Sequence, residues 1–214
     1  MTRMIFVRHG FSVANAEERF AGHSDFPLDA VGHAQARCVA EYITKNEKHI
    51  DAVYSSGLLR TTETVLPTAE ALGMPVLFDL GLREIFAGDW EGLKFSEIHE
   101  RYRESFDTWL HDLANVRCDG GESIEELFAR VTSAVCALGE ANDGKTLLLA
   151  THATPLRVIE CFSDGDSYKE IASHKSPPNA SIHIYRYENG ALTPEKKNIV
   201  SHLEGMITKL PDSV

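Results

Sequence analysis

Positive charge is in short supply in this 214-residue chain: 21 Lys and Arg stand against 32 Asp and Glu, a formal net charge of -11. Nucleic acids and anionic membranes attract basic surfaces, so neither is an expected partner. Cysteine is also scarce. Cys38, Cys118, Cys136 and Cys161 are scattered, with no Cys-x-x-Cys pair and no knuckle spacing. That argues against a structural zinc site, and a core of this size needs no disulfide framework, so reduced thiols are expected. Long apolar runs are missing too. Met4 to Val7 is far shorter than the apolar stretch of a secretion signal and is cut by Arg8. Nothing approaches the roughly 20 residues of a membrane span, which places the protein in the cytoplasm. The 10 histidines include no His-x-x-x-His or similar ligand spacing, and no carboxylates cluster with them as a hard metal requires. No metal and no cofactor are expected. Repeats, low-complexity tracts and Pro/Gly/Ser linkers are absent as well, so one domain over residues 1–214 is the simplest organisation. Oligomeric state, a homodimer included, stays open at this level.

What the chain does have is alternation. Apolar, β-branched or aromatic runs at Met4 to Val7, Ala52 to Tyr54, Val76 to Phe78, Thr146 to Ala150 and Ser181 to Tyr187 predict strands. Helical patterns lie between them. In "FPLDAVGHAQARCVAEYI", Asp29 is an N-cap and Val31, Ala34, Cys38 and Tyr42, with Val39 and Ile43 alongside, repeat at helical spacing. In "GGESIEELFARVTSAVCALGE", Ser123 and Glu126 form a capping box, and Ile124, Leu127, Phe128, Val131, Val135 and Leu138 make one stripe. Both stripes are expected to face the core. The pattern predicts a three-layer α/β/α fold around a mostly parallel sheet. Residues 94–121, rich in His, Arg, Glu and aromatics, fit it least and are expected to form a helical cap insertion. Ser201 to Val214 should be a loosely held tail.

Open α/β sheets bind ligands beyond the carboxyl ends of their strands. Three predicted strand ends carry chemistry: "FVRHG", "AVYSSGLLRTTET" and "LLLATHATPLR". If the strands are parallel neighbours, Arg8, His9, Arg60 and His152 gather at one sheet edge. A lone strand-end histidine is usually structural. Two guanidiniums and two imidazoles around one point, however, repel one another unless an anion fills the space between them. Phosphate fits best, because arginine's forked donors match its oxygens. Gly10 would let the backbone approach the anion, and Pro155 suits the first turn of a helix whose amides face it. A neutral imidazole can attack phosphorus, and the arginines would keep it neutral by like-charge repulsion. The leaving alkoxide then needs a proton. Glu84, in "GLREIFAGDWEG", is the candidate donor, its carboxyl pKa raised beside the phosphoryl group. Asp89 and Glu91 are rivals better explained as solvated loop carboxylates, and Arg83 as a surface charge.

Taken in order, these stretches resemble the histidine phosphatase superfamily (phosphoglycerate mutase-like, branch 1). Arg8, His9 and Gly10 match its hallmark and Asn15 its downstream asparagine. "AGHSDFPLDAVGHAQA", which contains Gly22, resembles the family's segment before the first helix. "SSGLLRTTET" resembles its second arginine motif, "LREIFAGDWEG" its acid motif, "THATPLR" its closing histidine motif and "PPNASIHIY" its late strand. The resemblance runs from Met4 to about Tyr187. It implies His9 as a nucleophile that becomes phosphohistidine, and Arg8, Arg60 and His152 as catalytic phosphate ligands. Asn15, Gly22 and Ala153 belong to the implied phosphate-binding set, Glu84 is acid and base, and no metal takes part. Two positions depart from the pattern: Phe11 stands where many members have Glu or Gln, and Ala153 where glycine is common, which points to a more apolar pocket mouth.

The "REIFAGDWEGLKFSEI" stretch is closer to broad-specificity and alpha-ribazole phosphatases than to the mutases. Hydrolysis of a small phosphorylated metabolite is therefore the expected activity. A phosphoglycerate-type mutase is the alternative, and an inactive phosphate-binding or interaction module a weaker one, since all five candidate catalytic positions are retained. His99, Arg101, Tyr102, Arg103, Trp109 and Arg117 in the cap are candidates for meeting the organic part of the substrate.

Overall fold

A computed structural model describes residues 1–208. Six strands form one sheet: β1 (Thr2–Arg8), β2 (Ala52–Ser55), β3 (Val76–Phe78), β4 (Thr146–Thr151), β5 (Ile182–Glu188) and β6 (Ala191–Ile199). Their order is β3-β2-β4-β1-β5-β6, with the first four parallel, β5 antiparallel to β1 and β6 antiparallel to β5. The helices are α1 (Val13–Ala16), α2 (Ala30–Asn46), α3 (Leu59–Leu72), α4 (Phe95–Arg101), α5 (Arg103–His111), α6 (Ile124–Ala141) and α7 (Ala153–Asp164).

The apolar continuity of β1 is explained by cover on both faces. Met4 and Phe6 point to one side, into a cluster with Leu147, Leu149, Leu127, Val131 and Leu156. Ile5 and Val7 point to the other, against Leu148, Ala150, Val39, Ile43 and Val65. All four β1 side chains are fully buried, each contributing about 1.5–3 kcal/mol of hydrophobic free energy. The three-layer, mostly parallel expectation is met.

The caps form as the sequence predicts. Asp29 Oδ1 accepts from Gly32 N at 2.8 Å, and Ser123 and Glu126 cap each other at 3.2 and 3.0 Å. The α6 stripe is buried except Phe128, which is partly so. The α2 face is rotated from its expected position: Gly32, Gln35, Ala36, Val39, Ala40 and Ile43 are buried, while Val31 is 39% exposed. The cause is a close approach at Gly32, where a Cβ would come within 2.0 Å of Phe11 O. The helix seats its smallest side chain there, which turns Val31 to solvent.

Three further features extend or correct the sequence reading. β6 went unpredicted; it is a largely exposed edge strand that carries Pro194, Lys196 and Lys197, residues that suppress a strand signal and also discourage edge pairing. The expected loose tail is docked over its described part. Leu203 is fully buried, His202 Nε2 donates to Ala180 O at 2.9 Å and Gln35 Nε2 to Met206 O at 2.8 Å; the remainder, 209–214, lies outside the described residues. Segment 94–121 is helical, as α4, α5 and a 3-10 turn at Leu113–Asn115. All four cysteines are free, and no helix among the described residues is long and apolar enough to cross a membrane.

Candidate active site

The parallel register brings three strand ends to one edge. Arg8 pairs with Thr151 and Ser55 with Ala150, so His9, His152 and Ser56 leave the sheet side by side. Arg60 joins them from the first turn of α3. The His9 and His152 rings are 5.2 Å apart.

His9 is 5% exposed, its backbone N–H bonded to Thr151 O at 2.9 Å. Its Nδ1 lies 2.7 Å from Gly10 O. A carbonyl only accepts, so Nδ1 carries the hydrogen and Nε2 keeps its lone pair. Burial, with Arg60 and Arg8 adding repulsion, holds the His9 pKa well below the ordinary histidine value. Burial outranks the like-charge repulsion expected from the sequence. His152 is held down the same way, by burial first and then by Arg60, His9 and Arg8.

Neither guanidinium has an ion-pair partner among the described residues. Arg60 donates to Ser24 O at 2.9 Å and Gly22 O at 2.7 Å, Arg8 to Pro177 O, and the Nε of each is buried without a partner. Burial pushes both pKa values down to about 10. The charges therefore remain uncompensated by any contacting carboxylate, as an anion site requires.

Gly22 acts through its backbone. It sits at φ +48, a left-handed conformation that favours glycine, and a Cβ would meet Glu91 Oε1 at 2.7 Å. Glu91 is a brace for this loop: it accepts from His23 N at 2.8 Å, Ser24 Oγ at 3.0 Å and Ala87 N at 3.2 Å. This corrects its reading as a solvated carboxylate. Asp89 is exposed. Arg83, expected at the surface, is half-buried and donates to Ser56 O at 3.3 Å.

Glu84 follows the 3-10 turn Leu80–Leu82 and lines the cleft. Its Oε1 accepts from Ile85 N at 2.9 Å and its Oε2 from Thr154 N, in the first turn of α7, at 3.4 Å. Asn15 accepts at Oδ1 from Ser12 N, Ser12 Oγ and Asn179 Nδ2, which assigns that atom as oxygen and leaves the NH2 group free to donate. Asn15 and Ala153 both line the cleft.

Gly10 also serves packing: a Cβ there would meet Gly32 O at 2.8 Å, so its small size lets α2 approach the end of β1. Phe11 is not a cleft residue. Its backbone N–H donates to Gln35 Oε1 at 2.8 Å and its carbonyl accepts from Asp29 N. The apolar side of the cleft comes instead from Phe20, Phe95 and Trp109.

Of the six cap candidates, only Trp109 lines the cleft; His99, Arg101, Arg103 and Arg117 are exposed and Tyr102 packs into the core. Arg117 is paired with Glu126. Cleft residues that sequence reasoning missed include Arg19, Phe20, Phe95, Arg157 and Ser176. Arg157 alone had a readable signal: it stands four and three residues after Ala153 and Thr154, on the same face of α7.

The result is an open α/β sheet whose strand ends hold a buried, cation-walled cleft with an unprotonated imidazole nitrogen on its floor, the equipment of a phosphoryl-transfer protein. The chain belongs to the histidine phosphatase superfamily (branch 1), whose family model matches residues 4–200. Phosphoserine phosphatase 1 of Hydrogenobacter thermophilus is 31% identical over 203 residues, which cover 95% of each chain. Among solved structures, YhfR of Bacillus stearothermophilus superimposes with a TM-score of 0.89 at 26% identity, over 95% of this chain and 100% of that one. A phosphoserine phosphatase of Entamoeba histolytica, solved in complex with 3-phosphoglyceric acid, superimposes at 0.78 and 25% identity, over 95% and 100%.

Proposed function

We propose that this protein is a metal-independent phosphomonoester hydrolase acting on a small phosphorylated metabolite through phosphohistidine. The observation that carries the reading is the His9 Nδ1 to Gly10 O hydrogen bond of 2.7 Å, which frees Nε2 between two buried arginines. In the first step Nε2 attacks phosphorus and the P–O bond to the alcohol breaks, while the Glu84 carboxyl gives its proton to the departing oxygen. In the second step the Glu84 carboxylate takes a proton from water, the oxygen of which attacks phosphorus, and the P–N bond returns its electrons to His9. Arg8, Arg60, His152 and the Asn15 amide hold the equatorial oxygens as charge develops. Relatives named as phosphatases and as mutases both match most of this chain, and phosphoserine phosphatase 1 is covered to 95% against 86% for a phosphoglycerate mutase-like protein of Arabidopsis thaliana, which favours hydrolysis over transfer to a second substrate oxygen.

The substrate we propose carries a second acidic group. Arg157 donates to Ile171 O at 3.0 Å, yet its Nε is buried with no partner, and the Ser176 Oγ beside the same cleft is equally unpartnered. A carboxylate on the alcohol side would satisfy both donors and offset a cation that the phosphate leaves unmatched. The two phosphoserine phosphatase relatives fit this reading.

A panel of phosphomonoesters assayed with excess chelator tests both levels. Phosphate release should persist in chelator and vanish in His9→Asn; activity that needs added metal, or that survives in His9→Asn, overturns the mechanism. Carboxylate-bearing esters should have the highest kcat/KM, and Arg157→Gln should lower it roughly tenfold to a hundredfold for them alone. Equal losses on neutral esters would remove Arg157 from substrate recognition.

A further inference from the structure

Glu84 stands on irregular backbone, outside every strand and helix. Its carboxyl is tethered only to Ile85 N at 2.9 Å and, at the longer distance of 3.4 Å, to Thr154 N. Where the carboxyl sits therefore depends on what holds the main chain around it.

One side chain from α6 does most of that holding. Arg130 directs all five of its N–H donors to fixed partners. Nη1 donates to Gly81 O at 2.9 Å and to Arg83 O at 3.0 Å, and Nη2 donates to Glu84 O at 3.0 Å. Nη2 also donates to Glu122 Oε2 at 2.8 Å, and Nε to Glu122 Oε1 at 2.7 Å. Glu122 grips the far side of the same stretch: its Oε2 accepts from Phe86 N at 3.0 Å and its backbone N–H donates to Phe86 O at 2.8 Å. The Leu82 carbonyl is taken by Thr151 Oγ1 at 2.7 Å, and Glu84 O receives a second hydrogen from His23 Nε2 at 2.9 Å. Pairing with Glu122 needs two of the five Arg130 donors. The other three all go to the residues that deliver Glu84, in a fork that a lysine ammonium cannot reproduce.

Resting on the reading of Glu84 as the acid and base of phosphoryl transfer, we propose that Arg130 is a positioning residue for that carboxyl, with Glu122 fixing the orientation of its guanidinium. Arg130 is not a cleft-lining residue, so it acts through the main chain of Glu84. Without it the carboxyl can drift from the departing oxygen, and a misplacement of about 1 Å can cost roughly a hundredfold in rate.

Leaving-group dependence tests this. A general acid matters greatly for a strongly basic alkoxide and little for dinitrophenolate, which departs without a proton. In Arg130→Met, kcat/KM should fall about tenfold to a hundredfold for an alkyl phosphate and less than about threefold for dinitrophenyl phosphate. In a Glu84→Gln background, adding Arg130→Met should lower the alkyl-ester value by less than about twofold more, because residues that act as one unit are not additive. Equal losses on the two esters, or a full further loss in the Glu84→Gln background, overturn the proposal, since either means that Arg130 supports the cleft as a whole. Thermal melts check folding. If Arg130→Met does not fold, Arg130→Lys keeps the charge beside Glu122 without the fork and should show the same skew between the esters; no skew overturns the proposal. Absence of phosphate release by the wild-type protein overturns the hydrolase reading instead, and full alkyl-ester activity in Glu84→Gln overturns the acid assignment.

Discussion

On the cleft floor, Arg8 and Arg60 are tethered to carbonyls, His9 to Gly10 O and His152 to Ser56, all in positions set by strand ends and buried backbone. Across the cleft, Phe95 and Trp109 come from two short helices and are held by ring packing, Trp109 lying edge-on to Phe20 at 4.9 Å and to Trp90 at 6.2 Å. Directional hydrogen bonds specify where an atom sits, whereas apolar packing specifies mainly volume. On the proposed function, the floor would fix the chemistry and the wall would set the shape of substrate admitted.

Three changes would break or sharpen this contrast. Glu84→Gln strikes the floor and should lower kcat by about 10²–10⁴, the scale of general acid–base catalysis, with inhibition by inorganic phosphate retained. Steady-state kinetics check it; a loss under tenfold would move the acid role elsewhere, although Glu91 is already committed as a brace. Trp109→Ala strikes the wall and should cost about 3–5 kcal/mol of stability as a buried aromatic truncation. Its kcat on a small aryl phosphate should stay within a few-fold while the ranking of bulky against small esters changes. A collapse of kcat in the folded variant would erase the distinction between floor and wall.

The smallest effect is on pH dependence. His9 and His152 have depressed pKa values in the folded protein, so below the unfolded value of about 6.5 the unfolded chain binds protons that the folded one refuses. Stability should be independent of these groups above pH 6.5. It should fall as pH drops below that, by up to about 1.4 kcal/mol per pH unit for each. Urea midpoints between pH 7.5 and 5.5 measure the slope, which His9→Asn should reduce; an unchanged slope would mean that His9 is protonated in the folded state.

The sequence revealed the floor better than the wall, for a physical reason. Arg8, His9, Arg60 and His152 sit at or just after strand ends, and parallel pairing alone brings such residues together. The N-caps at Asp29 and Ser123 were legible because capping is local. Phe20, Phe95 and Ser176 reach the cleft only through tertiary packing, which leaves no periodic signature. Glu91 looked solvated because the backbone amide of His23 and the hydroxyl of Ser24, which it anchors, lie 67–68 residues away in sequence. Phe11 looked like a pocket residue because it departs from the family's Glu or Gln, but the close contact of Gly32 with its carbonyl ties that residue to α2.

The carbonyl-only grip on Arg8 and Arg60 has one further consequence. Two buried cations without a contacting carboxylate cost the folded protein stability, and on the proposed function a bound anion would offset that cost. Binding to the folded state alone raises stability in proportion to the logarithm of ligand concentration over Kd. On the proposed function, the melting temperature of this protein would report what its cleft accepts. It would report a metabolite even for a variant that cannot turn it over, so the natural substrate can be sought without an assay for its product.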